Sequence, residues 1–176
     1  MFDGWCEHPY RETDPASDLV QGREWLLFER ALTRVAPESL LVRTGLILDP
    51  ERADDPTVRQ LAALRAGQTL EIAPLEQLSP LWMPDLVDGA LDLLVDAERG
   101  VWHLAPRTSC AALDWARRLA AHAGVALAAT LPSAGRPVED PRGPMRALAS
   151  ERGWPAPTWE EALERALAAA PGMRSA

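Results

Sequence analysis

The 176-residue sequence contains no lysine and no asparagine, and Tyr10 is its single tyrosine. Without lysine the chain cannot form a phosphate loop that ends in Gly-Lys, a Schiff base, a Ser-Lys nucleophile pair or a Tyr-Lys catalytic pair. All 18 positively charged side chains are therefore arginines. These absences exclude several common classes of enzyme.

Runs of positive charge and long apolar segments are also missing. The net charge is −8 and no basic cluster occurs, which disfavours binding to nucleic acid or to an anionic membrane. No apolar run approaches the roughly 18 residues of a membrane span, and the N-terminus lacks the pattern of a signal peptide. Cys6 and Cys110 fit no metal spacing. Two cysteines in this length suit a reducing cytoplasm, although a disulfide stays open.

Hydrophobic periodicity predicts alternating helices and strands. Helices are expected at about 17–35, 56–66, 84–97, 109–123 and 158–170, with a short one at 145–151. Strands are expected at 39–48, 69–72, 101–104 and 126–130. The predicted N-caps are Ser17 or Asp18, Asp55, Thr108 or Ser109, and Thr158. This alternation predicts an α/β fold with mostly parallel strands, as one domain over residues 1–170 and a flexible tail at 171–176.

Seven short motifs occur along the chain in an order and spacing typical of one family. They are Phe2-Asp3-Gly4, Pro9-Tyr10-x-Glu12-x-Asp14-Pro15, Leu41-Val42-Arg43-Thr44, Ser79-Pro80 followed by Asp85-Leu86, Gly100-Val101-Trp102-His103-Leu104-Ala105, Trp115-Ala116-Arg117 and Arg136-Pro137. In these motifs the chain resembles the C-terminal, sugar-binding half of the dTDP-4-dehydrorhamnose reductase family, a branch of the extended short-chain dehydrogenases. The resemblance implies a partial Rossmann-like parallel sheet together with the substrate-binding half of such a reductase.

The chain departs from this family at the catalytic pair. The family's Tyr-x-x-x-Lys aligns with Gln21 and Trp25. In the family the tyrosine exchanges a proton with the substrate oxygen, and the lysine lowers the tyrosine pKa and holds the nicotinamide ribose. Glutamine cannot act as a general acid and tryptophan carries no charge. The resemblance therefore predicts no catalytic residue in this chain.

The family's dinucleotide-binding half has no counterpart in the sequence. That half would precede Phe2-Asp3-Gly4, and no Gly-x-Gly-x-x-Gly occurs. We expect no cofactor for this chain alone, and NAD(P) if another chain supplies the dinucleotide half. The apolar strand at 39–48 would lose its neighbours from that half, so a protein partner, a second copy or a rearranged local fold is expected to cover it.

Three side chains are candidates for substrate binding. Arg43 and Arg136 could contact a diphosphate, because arginine binds phosphate oxygens in a bidentate manner. Arg43 lies in an apolar strand and needs a partner there, for which Glu29 is the candidate. Trp82 follows Ser79-Pro80, where the resemblance places the substrate cleft, and it would either stack on a base or sugar or pack in the core.

The remaining polar clusters favour structural roles. Four aspartates at helical spacing mark either a solvated helix face, which we favour, or a surface for a cation or a basic partner: Asp85, Asp88, Asp92 and Asp96. Cys6 and His8 have no second cluster nearby, so no metal site is predicted. His103 is interpreted as a structural histidine in its strand.

Two functions follow from these observations. The first is a non-catalytic dTDP-4-dehydrorhamnose-reductase-like domain that binds a partner protein or a nucleotide sugar such as a dTDP-sugar. The alternative is one part of an NAD(P)-dependent dTDP-4-dehydrorhamnose reductase whose dinucleotide-binding half is missing from this chain. A third possibility is a decaying remnant of such a gene without a selected function.

Overall fold

A computed structural model of the chain describes residues 1–52, 54–130 and 143–169. The described helices are α1 (Val20–Val35), α2 (Pro56–Arg65), α3 (Met83–Val95), α4 (Ala112–Ala123) and α5 (Trp159–Ala169). The described strands are β1 (Leu40–Thr44), β2 (Ile47–Leu48), β3 (Leu70–Glu71), β4 (Gln77–Leu78), β5 (Leu81–Trp82), β6 (Gly100–Leu104), β7 (Cys110–Ala111) and β8 (Ala129–Thr130). None of these helices combines the length and the apolar character that crossing a membrane requires.

The strands form four pairs, and three of them are parallel. β1 pairs with β6 from Leu40 opposite Gly100 to Thr44 opposite Leu104, while β2 pairs with β5 and β3 with β8. The short pair of β4 and β7 is antiparallel. The α/β fold with mostly parallel strands is therefore confirmed.

The predicted strand at 39–48 is divided in two at Gly45. β1 ends before this glycine, and β2 begins after it and takes a different neighbour. A Cβ at Gly45 would overlap the hydroxyl and the carbonyl of Ser79. Only glycine allows the two backbones to approach this closely, so the sheet changes partner at this point.

Two of the predicted helix starts are confirmed in atomic detail. The Asp55 carboxylate accepts hydrogen bonds from the backbone amides of Thr57 (2.7 Å) and Val58 (3.2 Å) at the start of α2. At the start of α5, the Thr158 amide donates to the Glu161 carboxylate, and the Glu161 amide donates to the Thr158 hydroxyl. This reciprocal pair is a capping box.

The other two predicted caps are wrong. α1 begins at Val20 without a side-chain cap, and the Ser17 hydroxyl accepts from the Leu19 amide instead. α4 begins at Ala112, later than the Thr108 or Ser109 cap implies, because Cys110 and Ala111 first pair with β4. A tertiary strand pairing displaces the helix start in this case.

The short helix predicted at 145–151 is absent, since this segment runs alongside two other parts of the chain. Met145 forms a bridge with Gln77, and Leu148 forms one with Tyr10. The Tyr10 amide donates to the Ala147 carbonyl at 3.0 Å. These long-range hydrogen bonds use the backbone groups that a helix would need.

Two apolar clusters form most of the core. The larger one joins α2, α4 and α5 and includes the fully buried Leu119 and Leu163, and the smaller one lies beneath α3 around Leu81 and Leu104. Each fully buried leucine contributes about 1.5–3 kcal/mol to folding. Helix α1 contributes to neither cluster.

The apolar face of α1 is exposed, although its periodicity predicts burial. Trp25 and Phe28 are each 58% exposed, Val35 is 84% exposed, and Gly22 is the one buried residue of this helix. β1 likewise has β6 as its one described neighbour, and Val42 at its centre is 37% exposed. The fold therefore leaves an uncovered apolar surface along α1 and β1.

Candidate functional site

A cleft of about 630 Å³ lies where the start of the chain meets α1 and β1. Its walls come from Phe2 and Tyr10, from Trp25 to Glu29 on α1, and from β1 and the residues just after it. Residues of 76–79 and 145–148 close the remaining side. Five segments that are distant in sequence therefore converge on this cavity.

Aromatic rings form two parts of the cleft wall. The ring of Phe2 stacks on that of Tyr10, with centroids 4.2 Å apart and planes 8° apart. The rings of Trp25 and Phe28 meet edge to face at 6.2 Å. Trp25, the residue for which the sequence predicted the place of the family's lysine, presents an indole to the cavity.

Arg43 lines the cleft and is held there by Glu29. Its Nε and Nη2 donate to the two Glu29 carboxylate oxygens at 2.8 and 2.6 Å, and the two side chains are 15% and 12% exposed. Its Nη1 lies 3.3 Å from His103 Nε2. The predicted pairing with Glu29 is confirmed, and it leaves two of the five guanidinium N–H groups for a ligand.

His103 lies behind Arg43 and is fully buried, which confirms the structural interpretation. Its Nδ1 is 3.0 Å from the carbonyl oxygens of both Tyr10 and Ala149. Two acceptors at Nδ1 require the proton there, so the Nε2 lone pair accepts from Arg43. Burial lowers the pKa of His103, the Arg43 charge adds to this, and the Glu12 carboxylate opposes it.

Glu12 fastens the N-terminal segment to β6 and to residues 150–151. Its carboxylate accepts from the His103 amide (2.8 Å), the Ser150 hydroxyl (2.6 Å) and the Glu151 amide (2.9 Å). Desolvation alone would raise the pKa of Glu12, but these hydrogen bonds together lower it. Sequence analysis did not single out this role, although the motif around Pro9-Tyr10 contains the residue.

Tyr10 is unsuited to proton transfer in the cleft. Its hydroxyl donates to Asp3 Oδ1 at 2.7 Å and accepts from the amides of Gly4 (2.9 Å) and Cys6 (3.2 Å). Burial and the hydrogen bond to Asp3 raise the pKa of Tyr10 to about 12. The phenol therefore acts as a fixed connector of the N-terminal loop.

The charged side chains in the described cleft wall form two neutral pairs. Besides Arg43 with Glu29, Arg146 Nε lies 2.5 Å from a carboxylate oxygen of Glu76. The wall therefore has little net charge, and aromatic stacking is its main means of holding a ligand.

The structure separates Gln21 and Trp82 from this cleft. Gln21 is exposed in the first turn of α1 and does not line the cavity. Trp82 pairs with Leu48 in the sheet and packs against the larger core cluster, with the Arg165 guanidinium 5.8 Å from its ring centroid. This placement favours the packing alternative for Trp82. Arg136 lies outside the described residues.

The polar clusters show no metal-binding arrangement. In the described ranges no three histidine, cysteine or carboxylate side chains are grouped as ligands. Asp85 pairs with Arg165 at 2.7 Å, whereas Asp88 and Asp92 are exposed on α3 and Asp96 is exposed at its C-cap. Cys6 Sγ lies 3.4 Å from His8 Nε2 in the N-terminal loop.

The chain matches the family model described as RmlD substrate binding domain over residues 1–171. Its fold is similar to a dTDP-4-dehydrorhamnose reductase from Clostridium acetobutylicum, with a TM-score of 0.81 and 18% identity over 95% of this chain and 61% of the reductase. A dTDP-4-dehydrorhamnose reductase from Bacillus anthracis, solved in complex with NADP, has a TM-score of 0.78 and 19% identity over 93% of this chain and 60% of the reductase. A UDP-glucose 4-epimerase from Thermotoga maritima, solved with UDP-glucose, has a TM-score of 0.63 and 18% identity over 93% of this chain and 57% of the epimerase.

No curated protein sequence matches the chain significantly. The chain spans about three fifths of the length of the reductase structures that it matches.

Proposed function

The chain belongs to the RmlD substrate-binding domain family, and on this premise we propose that it is a non-catalytic member that binds a nucleotide sugar in the cleft beside α1. One observation carries the proposal: Trp25 lines this cleft at the position of the family's lysine. An indole in this place provides a surface for stacking and lacks the charge that the family's chemistry requires.

The absence of catalysis rests on the proton-transfer groups around the cleft. Gln21 replaces the family's tyrosine and cannot donate a proton as a general acid. Tyr10 is bonded to Asp3 and its pKa is raised to about 12. Among the described lining residues, Glu29 and Glu76 are both paired with arginines. These groups support binding rather than hydride and proton transfer.

The size and the lining of the cleft support a nucleotide sugar as its ligand. A volume of about 630 Å³ lies within the roughly 300–1,000 Å³ typical of small-molecule sites. Trp25 and Phe28 offer faces for a base or a sugar ring, and the two remaining N–H groups of Arg43 can donate to a phosphate oxygen. Because the ion pairs of the wall are neutral, the affinity should depend little on ionic strength.

Calorimetric titration of the purified chain tests this proposal, with dTDP-glucose, dTDP and NADPH as separate probes. We expect heat with dTDP-glucose and none with NADPH. Trp25→Ala should weaken dTDP-glucose binding roughly 5- to 150-fold, since stacking on a base contributes about 1–3 kcal/mol. Trp5→Ala is the matched control, because Trp5 is 71% exposed but does not line the cleft. Binding that Trp25→Ala leaves unchanged would contradict the proposal.

A protein partner is the second candidate ligand for the same face. Trp25 and Phe28 keep more than half of their surface in solvent, and β1 has one described neighbour. A small ligand would cover these rings only in part, whereas a protein surface would bury them. Absence of heat with both dTDP-glucose and dTDP would favour this candidate.

The catalytic alternative requires a dinucleotide-binding half from outside these 176 residues. It predicts NADPH oxidation with dTDP-4-dehydrorhamnose once such a half is supplied, and turnover in that assay would refute the non-catalytic proposal.

The family match over residues 1–171 supports one domain across residues 1–170. The free thiols of Cys6 and Cys110 support a cytoplasmic location.

A further inference from the structure

Helix α3 carries an apolar stripe beside a row of acids on its outer surface. The stripe consists of four side chains that are 46% to 84% exposed: Val87, Leu91, Leu94 and Val95. Their spacings of four, three and one place them on one side of the helix. Along its edge lie the exposed acids Asp88, Asp92 and Asp96, and α3 contains no basic residue. We call this surface the acidic face.

Helix α1 carries the opposite arrangement on the side that points away from the cleft. Its exposed arginines are Arg23, Arg30 and Arg34. Beside them lie the exposed apolar residues Val20, Leu27 and Ala31, with one exposed acid, Glu24, between Val20 and Leu27. Spacings of seven and four residues keep the arginines in one row. We call this surface the basic face. It is distinct from the cleft-lining side of α1, which Trp25 and Phe28 occupy.

The charges at the centre of both faces are unpaired within the described chain. No described side-chain hydrogen bond or ion pair involves Arg30, Arg34, Asp88 or Asp92. Arg23 has a loose contact of 3.8 Å with the fully exposed side chain of Asp18. Folding therefore leaves two elongated apolar surfaces of opposite charge on one molecule.

We propose that copies of this chain associate head to tail, with the basic face of one copy against the acidic face of the next. A two-fold contact made through one of these faces alone would oppose aspartate to aspartate or arginine to arginine. The head-to-tail contact instead pairs opposite charges and also covers both apolar stripes. The stripes supply the affinity and the charge rows select the pairing.

The expected association is weak and depends on concentration. The two helices have 16 and 13 residues, so they are about 24 and 20 Å long at 1.5 Å per residue. A contact along one pair of such helices lies at the small end of specific interfaces. It repeats as a ring or as an open chain, because a joined pair still has one free acidic face and one free basic face. This inference uses surfaces outside the cleft and does not depend on the proposed nucleotide-sugar binding.

Charge reversal tests the pairing through the mass in solution. One variant carries Arg30→Glu and Arg34→Glu, and the other carries Asp88→Arg and Asp92→Arg. Light scattering and sedimentation velocity would measure the mass of each protein in 0.15 M salt. The protein concentrations would run from about 5 to about 500 µM, which is on the order of the concentrations at which weak interfaces associate. We expect the natural chain to rise above its monomer mass of 19.2 kDa, and each variant to weaken association at least tenfold.

Mixing the two variants provides the decisive comparison. Each variant alone has two faces of the same sign, but an equimolar mixture again offers an acidic face to every basic face. We expect the mixture to regain the association of the natural chain, as should a single chain with all four substitutions, whose net charge is the natural one. Circular dichroism melting confirms that each variant is folded.

Three results would overturn the inference. The natural chain could stay at 19.2 kDa over the whole concentration range. The variants could associate as strongly as the natural chain, which would place the contact elsewhere. The mixture could remain monomeric although both variants are folded, which would show that opposite charge does not select the pairing.

Discussion

The ion pair between Arg43 and Glu29 in the cleft wall should be among the most stabilising polar contacts of the described chain. Glu29→Gln removes the carboxylate charge and keeps the shape of the side chain. The Arg43 guanidinium, 15% exposed, then keeps its charge with the neutral Nε2 of His103 as the nearest described partner. Breaking a buried pair in this way costs about 3–5 kcal/mol, and the residual exposure reduces the expected cost to about 2–3 kcal/mol.

The matched control is an exposed pair with the same geometry. Arg52 donates from Nε and Nη2 to the two Asp54 oxygens at 3.0 and 2.8 Å, but these side chains are 63% and 69% exposed. Asp54→Asn should leave the free energy of unfolding unchanged, because water screens the pair and solvates the arginine that remains. The two substitutions thus differ mainly in the burial of the pair.

Urea unfolding followed by tryptophan fluorescence and thermal melting by circular dichroism measure both variants. At roughly 2–4 °C per kcal/mol for a chain of this length, Glu29→Gln should lower Tm by about 4–12 °C. A double variant, Arg43→Met with Glu29→Leu, should recover much of this loss, since replacing both charges by apolar groups removes the desolvation penalty.

Two results would refute this reasoning. Equal losses for Glu29→Gln and Asp54→Asn would show that burial of the pair does not set its contribution. A double variant as unstable as Glu29→Gln would show that side-chain packing, rather than the uncompensated charge, accounts for the loss.

Three further predictions concern stability elsewhere in the fold. Asp55→Ala removes the cap of α2 and should cost about 1–2 kcal/mol in urea unfolding. Gly89→Ala places a Cβ about 2.7 Å from the Trp154 ring, so overpacking should cost about 1–3 kcal/mol and change the near-ultraviolet circular dichroism. Because burial lowers the pKa of His103, its stabilising contribution is complete above its unfolded pKa of about 6.5 and is lost as pH falls toward the lowered folded pKa. In His103→Gln, melting temperature should vary less with pH below about 6.5 than in the natural chain.

Local signals in the sequence predicted the elements whose ends depend on nearby residues. Asp55 followed by Pro56 located the start of α2, and Thr158 with Glu161 located that of α5, because a cap needs groups only three residues apart. The predicted caps of α1 and α4 and the helix at 145–151 were wrong. Their backbone groups bond instead to partners such as Gln77, which lies 68 residues from Met145. No local pattern contains those partners.

The candidate site likewise contains contacts that the sequence predicted and contacts that it did not. Arg43 and its partner Glu29 were predicted, because a charge within an apolar strand requires a counter-charge. The hydrogen bonds to the Glu12 carboxylate were not predicted, since their donors lie on β6 and at residues 150–151. Trp82 was a plausible stacking residue by its place in the sequence, and its position in the sheet favours packing instead.

By itself, the sequence determined which chemistry this chain lacks and which fold class it adopts. Because the sequence contains no lysine, no arrangement of these residues can form a Tyr-Lys pair. The tertiary structure decided that the apolar face of α1 stays exposed, that Trp25 lines a cleft, and that two faces of opposite charge lie on separate helices. Periodicity marks a face as apolar, but only the packing of distant segments determines whether anything covers it.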